Sequence, residues 1–205
     1  MRSLLHLSVT LALASAAFPS SGYAETSSSS VNSGGLGGPE VPGVCLLSRE
    51  AIYANAAVGK AASKRLQQLS AEAQAEIETE RKPIDVELQA FRAALADLDA
   101  QQRQQRDRDL SAKLRPIQEK AELRAREIEV TREKVMQRIA DEAQSVIKSV
   151  YERRNCGILF DRNSVLGGNF TNDLTASVVQ ELDVKISTIQ FDREQLPVNA
   201  VPPSE

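Results

Sequence analysis

The sequence has almost no histidine and no tryptophan. Its single histidine is His6, and aromatic residues make up 4% of the 205 residues. His6 lies in an N-terminal segment that we expect to be removed, which would leave the mature chain without histidine. Because histidine is the commonest general base and transition-metal ligand, its absence excludes Ser/His/Asp or Cys/His active sites and the usual zinc sites. Carboxylate-only chemistry is left open in principle, but the Asp and Glu residues are interleaved with Lys and Arg along the helices, as on a solvated face. We therefore expect no catalytic, metal or cofactor site.

Glycine is absent from a long central part of the chain. None occurs between Lys60 and Arg154, and this stretch is rich in Ala, Gln, Glu, Arg and Leu. Its apolar residues recur at spacings of 3, 4 and 7, the pattern of a narrow coiled-coil seam, and predict two antiparallel helical arms over residues 60–154. The seam residues include Leu66, Leu69, Ala73, Ile77, Ile84, Leu88, Phe91, Leu95 and Leu98, then Leu110, Leu114, Ile117, Ala121, Ile128, Val135, Ile139, Ala143, Val146 and Val150.

The apolar pattern lapses over residues 97–109, where Asp and Gln accumulate. We therefore expect the chain to reverse near residues 101–105, giving arms of about fifty residues and a hairpin roughly 70 Å long. Pro83 and Pro116 fall inside the arms, and each is expected to kink its helix or to mark a local break. Alternatively, Pro116 lies in the first turn of a helix that begins near Lys113.

The N-terminus has the features of a secretory signal peptide. A basic residue precedes an apolar run at residues 4–18, and a small-residue motif ending at Ala24 resembles a cleavage site, with one ending at Ala16 as its rival. The run is short for a membrane span, and a membrane-retained anchor is the alternative. We expect residues 1–24 to be cleaved after export and the Ser/Gly-rich residues 25–40 to form a flexible leader.

Two short apolar runs flank the arms, at residues 44–47 and 156–160. Each is interpreted as a strand of a small domain, in which a short helix follows N-cap donors at residues 172–175. The alternation of side chains predicts a last strand containing Val184, Ile186 and Thr188.

This small domain, which we call the body, is predicted to comprise residues 41–59 and 155–196, with residues 197–205 as a disordered tail. A few short strands and one helix bury too little apolar surface to be secure alone. We therefore expect several chains to associate through the body. The residues expected in this oligomerisation core are Val44, Leu46, Ile158, Phe160, Val178 and Leu182.

The two cysteines stand at opposite ends of the predicted hairpin. Cys45 precedes the first helix and Cys156 follows the return arm, so a hairpin would bring them near each other. In an oxidising compartment they are a disulfide candidate, and closing so long a loop stabilises by roughly 4–5 kcal/mol in the chain-entropy model. The alternatives are two buried free thiols or a bond between subunits. Since no CxxC motif is present, a redox-active role is not expected.

The net charge of −3 is unevenly distributed. Residues 60–154 carry twenty Lys/Arg and eighteen Asp/Glu, and residues 103–138 carry eleven and seven. Such interleaved charge is typical of solvated helix faces. The alternative is weak attraction to an anionic membrane surface or to acidic clients. This balance in an exported protein does not predict binding to nucleic acid.

Some segments around the hairpin are more specific than the hairpin itself. Residues 49–53 read REAIY, residues 157–165 read GILFDRNSV, and residues 172–175 read NDLT. With these segments the chain resembles the Skp/OmpH family of periplasmic chaperones over residues 41–184. It departs from the better-known members in being mildly acidic and in having the cysteine pair and the Ser/Gly leader.

The resemblance implies a mainly α fold of the α+β class, in which a long antiparallel coiled-coil hairpin emerges from a small β-rich oligomerisation body. Three chains would form a homotrimer whose arms surround a central cavity like tentacles. Family members hold unfolded outer-membrane proteins there, in the periplasm and without ATP, until the clients are inserted into the membrane. The alternative is a structural coiled-coil spacer or adaptor of the cell envelope.

A holdase of this kind needs many weak contacts on a large, adaptable surface, because unfolded barrel proteins expose alternating apolar strands that aggregate. Apolar side chains beside long basic ones on the distal arms suit that requirement. For any single apolar residue there, the alternative is a place in the coiled-coil seam. The candidate client contacts are Leu88, Phe91, Leu95, Leu98, Leu110, Leu114, Arg103, Arg106 and Arg108.

Overall fold

A computed structural model describes residues 36–197. The predicted signal peptide, most of the leader and the tail from residue 198 lie outside the described residues. The elements in chain order are β1 (Val44–Leu47), α1 (Arg49–Asn55), α2 (Ala57–Ala94), α3 (Ala100–Arg153), β2 (Ile158–Asp161), a 3-10 turn (Arg162–Ser164) and α4 (Thr175–Lys185). Helices α2 and α3 form a hairpin, and the other elements form the body at its base. The predicted fold class, mainly α with a small strand-containing body, is confirmed.

The two strands of the body pair in parallel, with Val44 opposite Ile158 and Cys45 opposite Leu159. Parallel pairing requires a crossover connection, and here the whole hairpin is that crossover. On the other edge of β1, the Leu46 N–H donates to the Asn172 carbonyl (3.0 Å) and the Leu174 N–H donates to the Leu46 carbonyl (2.8 Å). Strand β1 is therefore held on both edges.

A single apolar core joins the body to the base of the arms. Ile52 of α1, Ile139 of α3 and Leu182 of α4 are each at most 1% exposed. Full burial of such a side chain is worth about 1.5–3 kcal/mol. Because these residues come from three separate elements, the core fixes how the hairpin leaves the body.

Polar contacts position the helix ends in the body. The Ser48 side chain accepts a hydrogen bond from the Ala51 N–H (3.1 Å) and so caps α1. The Ser48 N–H donates to the Thr175 side chain (2.9 Å), which ties this cap to the start of α4. The Ala57 N–H donates to the Asp183 carboxylate (2.6 Å), so α4 supplies the cap that α2 lacks in its own sequence.

The break between the body and the outgoing arm lies at Ala56, whose backbone is extended (φ −65°, ψ 146°). Helix α2 begins at Ala57 and continues through Gly59, so the boundary that we predicted after Gly59 falls inside a helix. Gly59 is needed for close packing instead: a Cβ atom there would lie 1.9 Å from the Tyr53 carbonyl oxygen.

The chain reverses between Ala94 and Ala100, earlier than predicted, and residues 101–105 all lie in α3. The reason is a capping box that starts α3. The Asp99 side chain accepts from the Gln102 N–H (2.8 Å), and the Gln102 side chain accepts from the Asp99 N–H (3.1 Å). The helices are consequently unequal, with 38 residues in α2 and 54 in α3. Helix α2 is roughly 57 Å long, shorter than the expected hairpin.

Both helices run unbroken through their prolines. Of the two predicted outcomes, a local break at Pro83 and Pro116 is therefore wrong, as is a helix start near Lys113, while a kink at each proline stays a prediction. Each proline removes one backbone hydrogen bond. The residues that follow the prolines, Ile84 and Ile117, are 8% and 9% exposed, so packing between the arms holds both helices in place.

The last described segment, residues 186–197, contains no strand. The predicted last strand is wrong, because Val184 belongs to α4, where it is 90% exposed, and the residues after Lys185 run along the hairpin. The Arg138 side chain donates to the Gln190 carbonyl (3.3 Å), and the Leu196 N–H donates to the Glu127 carboxylate (3.1 Å). Residues 186–197, which we call the strap, thus run antiparallel to α3 and away from the body.

Candidate functional site

The distal half of the hairpin is held together by an apolar cluster. Its buried members are Ile84, Phe91, Leu110 and Ile117, with Ile77, Leu88, Leu98 and Leu114 packed against them. We call this the distal seam. Five of the candidate client contacts are in it, in the coiled-coil seam that was their alternative place: Leu88, Phe91, Leu98, Leu110 and Leu114. Their contact with clients stays a prediction.

Two apolar side chains of the distal arm do face solvent. Leu95, a predicted client contact, is 39% exposed at the end of α2, and Val86 is 61% exposed. Val86 was not among the predicted client contacts, because the apolar candidates were all residues with the spacing of the seam. Its position was nevertheless informative: Val86 lies two residues after Ile84, which places it away from the seam face of a helix.

The three arginines proposed as client contacts are exposed near the start of α3. The Arg103 Nε donates to the Leu98 carbonyl (2.8 Å), which helps to close the turn. The Arg108 guanidinium donates to the Gln105 side chain (2.8 Å). Asp residues at positions 97, 99, 107 and 109 share this end of the hairpin with Arg103, Arg106 and Arg108. The tip therefore carries mixed charge.

Between the distal seam and the body core lies a group of polar side chains, which we call the polar belt. It consists of Glu76 on α2 and of Lys120, Arg124, Glu127 and Thr131 on α3. Arg124 donates to both oxygens of Glu76 (2.9 and 3.0 Å) and to Glu127 (2.9 Å). Lys120 Nζ lies 2.6 Å from Glu76 Oε1. Glu127 and Thr131 are each 1% exposed, so the belt is partly interior.

The belt perturbs the titration of Glu76, Lys120 and Arg124. The hydrogen bonds from Arg124 and then Lys120 lower the pKa of Glu76 to about 2. The hydrogen bond to Glu76 raises the pKa of Arg124 and, together with the one to Glu80, that of Lys120. Opposite charges stabilise each other's ionised forms. The belt is thus an ionised cross-link between the arms at neutral pH.

Sequence reasoning missed the belt as a unit. Its charges were counted among the solvated helix faces, since alternating signs along one helix look the same whether they face solvent or the other arm. One signal of the belt was present in the sequence. The polar residues Glu127 and Thr131 lie beside Ile128 and interrupt an otherwise apolar stripe.

The second candidate surface is the exposed side of β2. Ile158 and Phe160 are 52% and 47% exposed, although both are apolar and lie on one face of the strand. Within residues 36–197, β2 pairs only with β1, so its other edge has no strand partner there. Such an edge is a ready template for pairing with another chain.

The remaining predicted oligomerisation residues are placed differently. Val178 and Leu182 have 0% exposure in the core of the single chain, so their assignment to a contact between chains is wrong. Both residues lie on the side of α4 that packs against α1 and α3, and that side is buried. Leu46 is 6% exposed, and Val44 is intermediate.

The two cysteines are joined by a disulfide within one chain, with their Cα atoms 5.8 Å apart. Helix α3 ends at Arg153, and two residues later Asn155 adopts a left-handed conformation (φ 52°) that turns the chain away just before Cys156. Cys45 is 1% exposed in β1, which pairs with β2 two residues after Cys156. The bond closes a loop of 111 positions that contains the entire hairpin.

None of the helices in residues 36–197 combines the length and the apolar character needed to cross a bilayer. The fold is that of a long helical hairpin on a small disulfide-closed body. A family model described as Outer membrane protein (OmpH-like) matches residues 43–182. A comparison with curated proteins finds no match.

A solved structure is also similar to this chain. It is the crystal structure of an OmpH-like protein from Caulobacter crescentus CB15 that has been assigned as an outer membrane chaperone. The two chains are 36% identical, the TM-score is 0.66, and the match covers 78% of this chain and 94% of the other. The chain belongs to the OmpH-like family, as the sequence segments around the hairpin predicted.

Proposed function

We propose that this protein is a chaperone of the periplasm that holds unfolded outer-membrane β-barrel proteins without ATP and keeps them from aggregating. The observation that carries the proposal is a long, solvated two-helix hairpin on a compact body in a member of the OmpH-like family. The assignment of the related C. crescentus protein as an outer membrane chaperone supports it.

The surface of the arms suits a holdase. Beyond the polar belt the outer faces present Val86 and Leu95 among long charged side chains. The methylene groups of Lys and Arg add apolar area beside their charges. Contacts of this kind are individually weak and tolerate many client sequences, and clients can leave when they begin to fold.

Assembly through β2 completes the proposal. Strand β2 is four residues long, has an edge with no strand partner within the described residues, and carries two exposed apolar side chains. These features are typical of a surface that binds another protein chain. Pairing of this surface between three copies would join the bodies and arrange three hairpins around a shared space. A client held there would contact several arms at once, which raises its effective affinity.

The compartment follows from two features. The N-terminal sequence has the pattern of a secretory signal peptide, and a disulfide persists in an oxidising environment such as the periplasm. Both favour an exported protein that works between the membranes.

Holdase activity is tested by diluting a urea-unfolded outer-membrane barrel protein into buffer and following light scattering. We expect the wild-type protein to suppress aggregation at one assembly per client. The double variant V86E/L95E should weaken suppression severalfold, because it places charge on the exposed apolar surface of the arm. V184E is the matched control, since Val184 is 90% exposed in the body. No suppression by the wild type would favour the envelope spacer or adaptor.

The assembly surface is tested separately by native mass spectrometry or light-scattering sizing. We expect the wild type to be a trimer and I158E/F160E to be largely monomeric, while V184E remains trimeric. A wild-type chain that is monomeric at micromolar concentration would contradict the assembly part of the proposal.

A further inference from the structure

The strap lies outside the part of the chain that the family model matches. That match ends at residue 182, whereas the strap occupies residues 186–197. The strap begins within the body core, where Ile189 is 7% exposed and Phe191 packs against its surface. It then continues beyond the body along both arms.

The strap docks on α3 through its backbone. The Glu194 N–H donates to the Thr131 hydroxyl (2.9 Å), and the Leu196 N–H donates to the Glu127 carboxylate (3.1 Å). Two residues of extended chain span about 6.6 Å, and four residues of helix rise about 6 Å, so the donors and acceptors fall in register. This match explains why Glu127 and Thr131 can be buried in the polar belt without loss of hydrogen bonding.

Side chains of the strap reach both arms. Arg193 lies 3.1 Å from the carboxylate of Glu127 on α3 and 3.8 Å from that of Glu76 on α2. Asp192 pairs with Arg65 of α2 at 3.3 Å. The strap therefore bridges the two helices.

We propose that the strap is a clasp that fastens the two arms together as far as the polar belt, and that it sets the point from which the arms can separate. On the body side of the belt, α2 and α3 are held by the body core and the strap. Beyond the belt, in the described part of the chain, they are joined by the distal seam and by half-exposed ion pairs such as Lys113–Glu87. Opening motions of the hairpin are consequently confined to the distal arms.

The clasp does not depend on the proposed chaperone activity. The clasp is proposed to limit the separation of the arms in the protein without a client, and the experiment that tests it uses no client. If the distal arms hold clients, the clasp also determines which part of the hairpin adapts to them.

The experiment is hydrogen–deuterium exchange with mass spectrometry on the full-length protein. The variant E194P/L196P removes both N–H donors, since proline has none. Q195P is the matched control, because it introduces proline into the strap and leaves both donors in place. We expect E194P/L196P to raise exchange about tenfold over residues 62–76 and 124–139, a change typical of losing hydrogen bonds of this kind. Exchange over residues 84–117 should stay unchanged, as should the whole pattern in Q195P.

Equal acceleration along the whole length of the arms, or no acceleration on the body side of the belt, would overturn the clasp. Peptides from residues 44–56 and 174–182 report whether the body remains folded. If they lose protection in E194P/L196P, the same criteria are applied to R193A, which removes the one strap side chain that contacts both Glu76 and Glu127 and leaves Glu127 paired with Arg124. For R193A we expect a twofold to fivefold effect over the same residues.

Discussion

The base and the tip of the hairpin belong to the same two helices but are stabilised in different ways. At the base, α2 and α3 share a core with β1, α1 and α4, a disulfide joins the flanking strands, and the strap crosses both arms. At the tip, four buried side chains lie between two helices. Ion pairs such as Lys113–Glu87 are half exposed there and contribute little.

The comparison shows which part of the hairpin can move without unfolding the protein. A residue in the base contacts several elements, whereas a residue in the distal seam contacts one neighbouring helix. Regions with few buried apolar contacts open locally at low free-energy cost, and binding regions are commonly of this kind. The distal arms therefore combine sparser packing than the base with the surface proposed to hold clients.

The largest expected effect concerns the disulfide. The double variant C45A/C156A should lower the free energy of unfolding by about 4 kcal/mol, because the loop that the bond closes contains the whole hairpin. Urea unfolding at a fixed chain concentration measures the loss. Wild-type protein in reductant serves as the control and should unfold at the same urea concentration as the variant. A loss below about 1 kcal/mol would show that the apolar core stabilises the body almost as well without the disulfide.

A matched pair of isoleucines in α3 compares the two regions directly. Ile139 has 0% exposure in the body core, and Ile117 is 9% exposed in the distal seam. We expect I139A to cost about 4 kcal/mol and I117A about 2 kcal/mol, because the two-helix seam can relax around a deleted side chain more easily. Equal losses in urea unfolding would remove the distinction between the regions.

Gly59 tests how tightly the base is built. In G59A the new methyl group would meet the Tyr53 carbonyl oxygen, which is a rigid backbone atom. We expect a loss of about 1–3 kcal/mol, the range for overpacking, even though alanine is the better helix former. A61G, a glycine substitution two residues further along α2, is the comparison and should cost about 1 kcal/mol. A stabilised G59A would contradict the close approach of α1 and α2.

The smallest effect is the pH dependence of the polar belt. Because the folded-state pKa of Glu76 is about 2, below its ordinary value of 4.5, its ion pairs stabilise fully above that value. Their contribution falls as the pH drops from 4.5 towards 2. E76Q should cost about 1 kcal/mol at pH 7, the upper range for a partly exposed pair. The difference between wild type and E76Q in urea should shrink near pH 2.5, and an unchanged difference would exclude the assigned role.

Much of the hairpin was predictable because its signals are local. The spacing of residues such as Leu110 and Ile117 identifies a seam whatever the rest of the chain does. The start of α3 was predictable in principle, since Asp99 and Gln102 have the spacing of a capping box. The turn was predicted too far along the chain because the polar composition continues past that pair, through residues 101–109.

The candidate site was less predictable because exposure depends on contacts. The seam spacing distinguishes Phe91 from Val86, but only the position of α3 decides how far each side chain is covered, with Phe91 9% and Val86 61% exposed. Val178 and Ile158 look alike in sequence. The packing of α4 buries Val178, while nothing within the described residues covers Ile158.

The amino-acid sequence alone determined that this protein is a helical hairpin between two short strands, since apolar periodicity, capping and the lack of glycine act over a few neighbouring residues. It also identified the family through short segments beside the hairpin. The tertiary structure decided the rest: the cap that Asp183 provides to α2, the burial of Glu127 and the course of the strap. These contacts join residues 60 or more positions apart, and a pairing over that distance leaves no pattern in the local sequence.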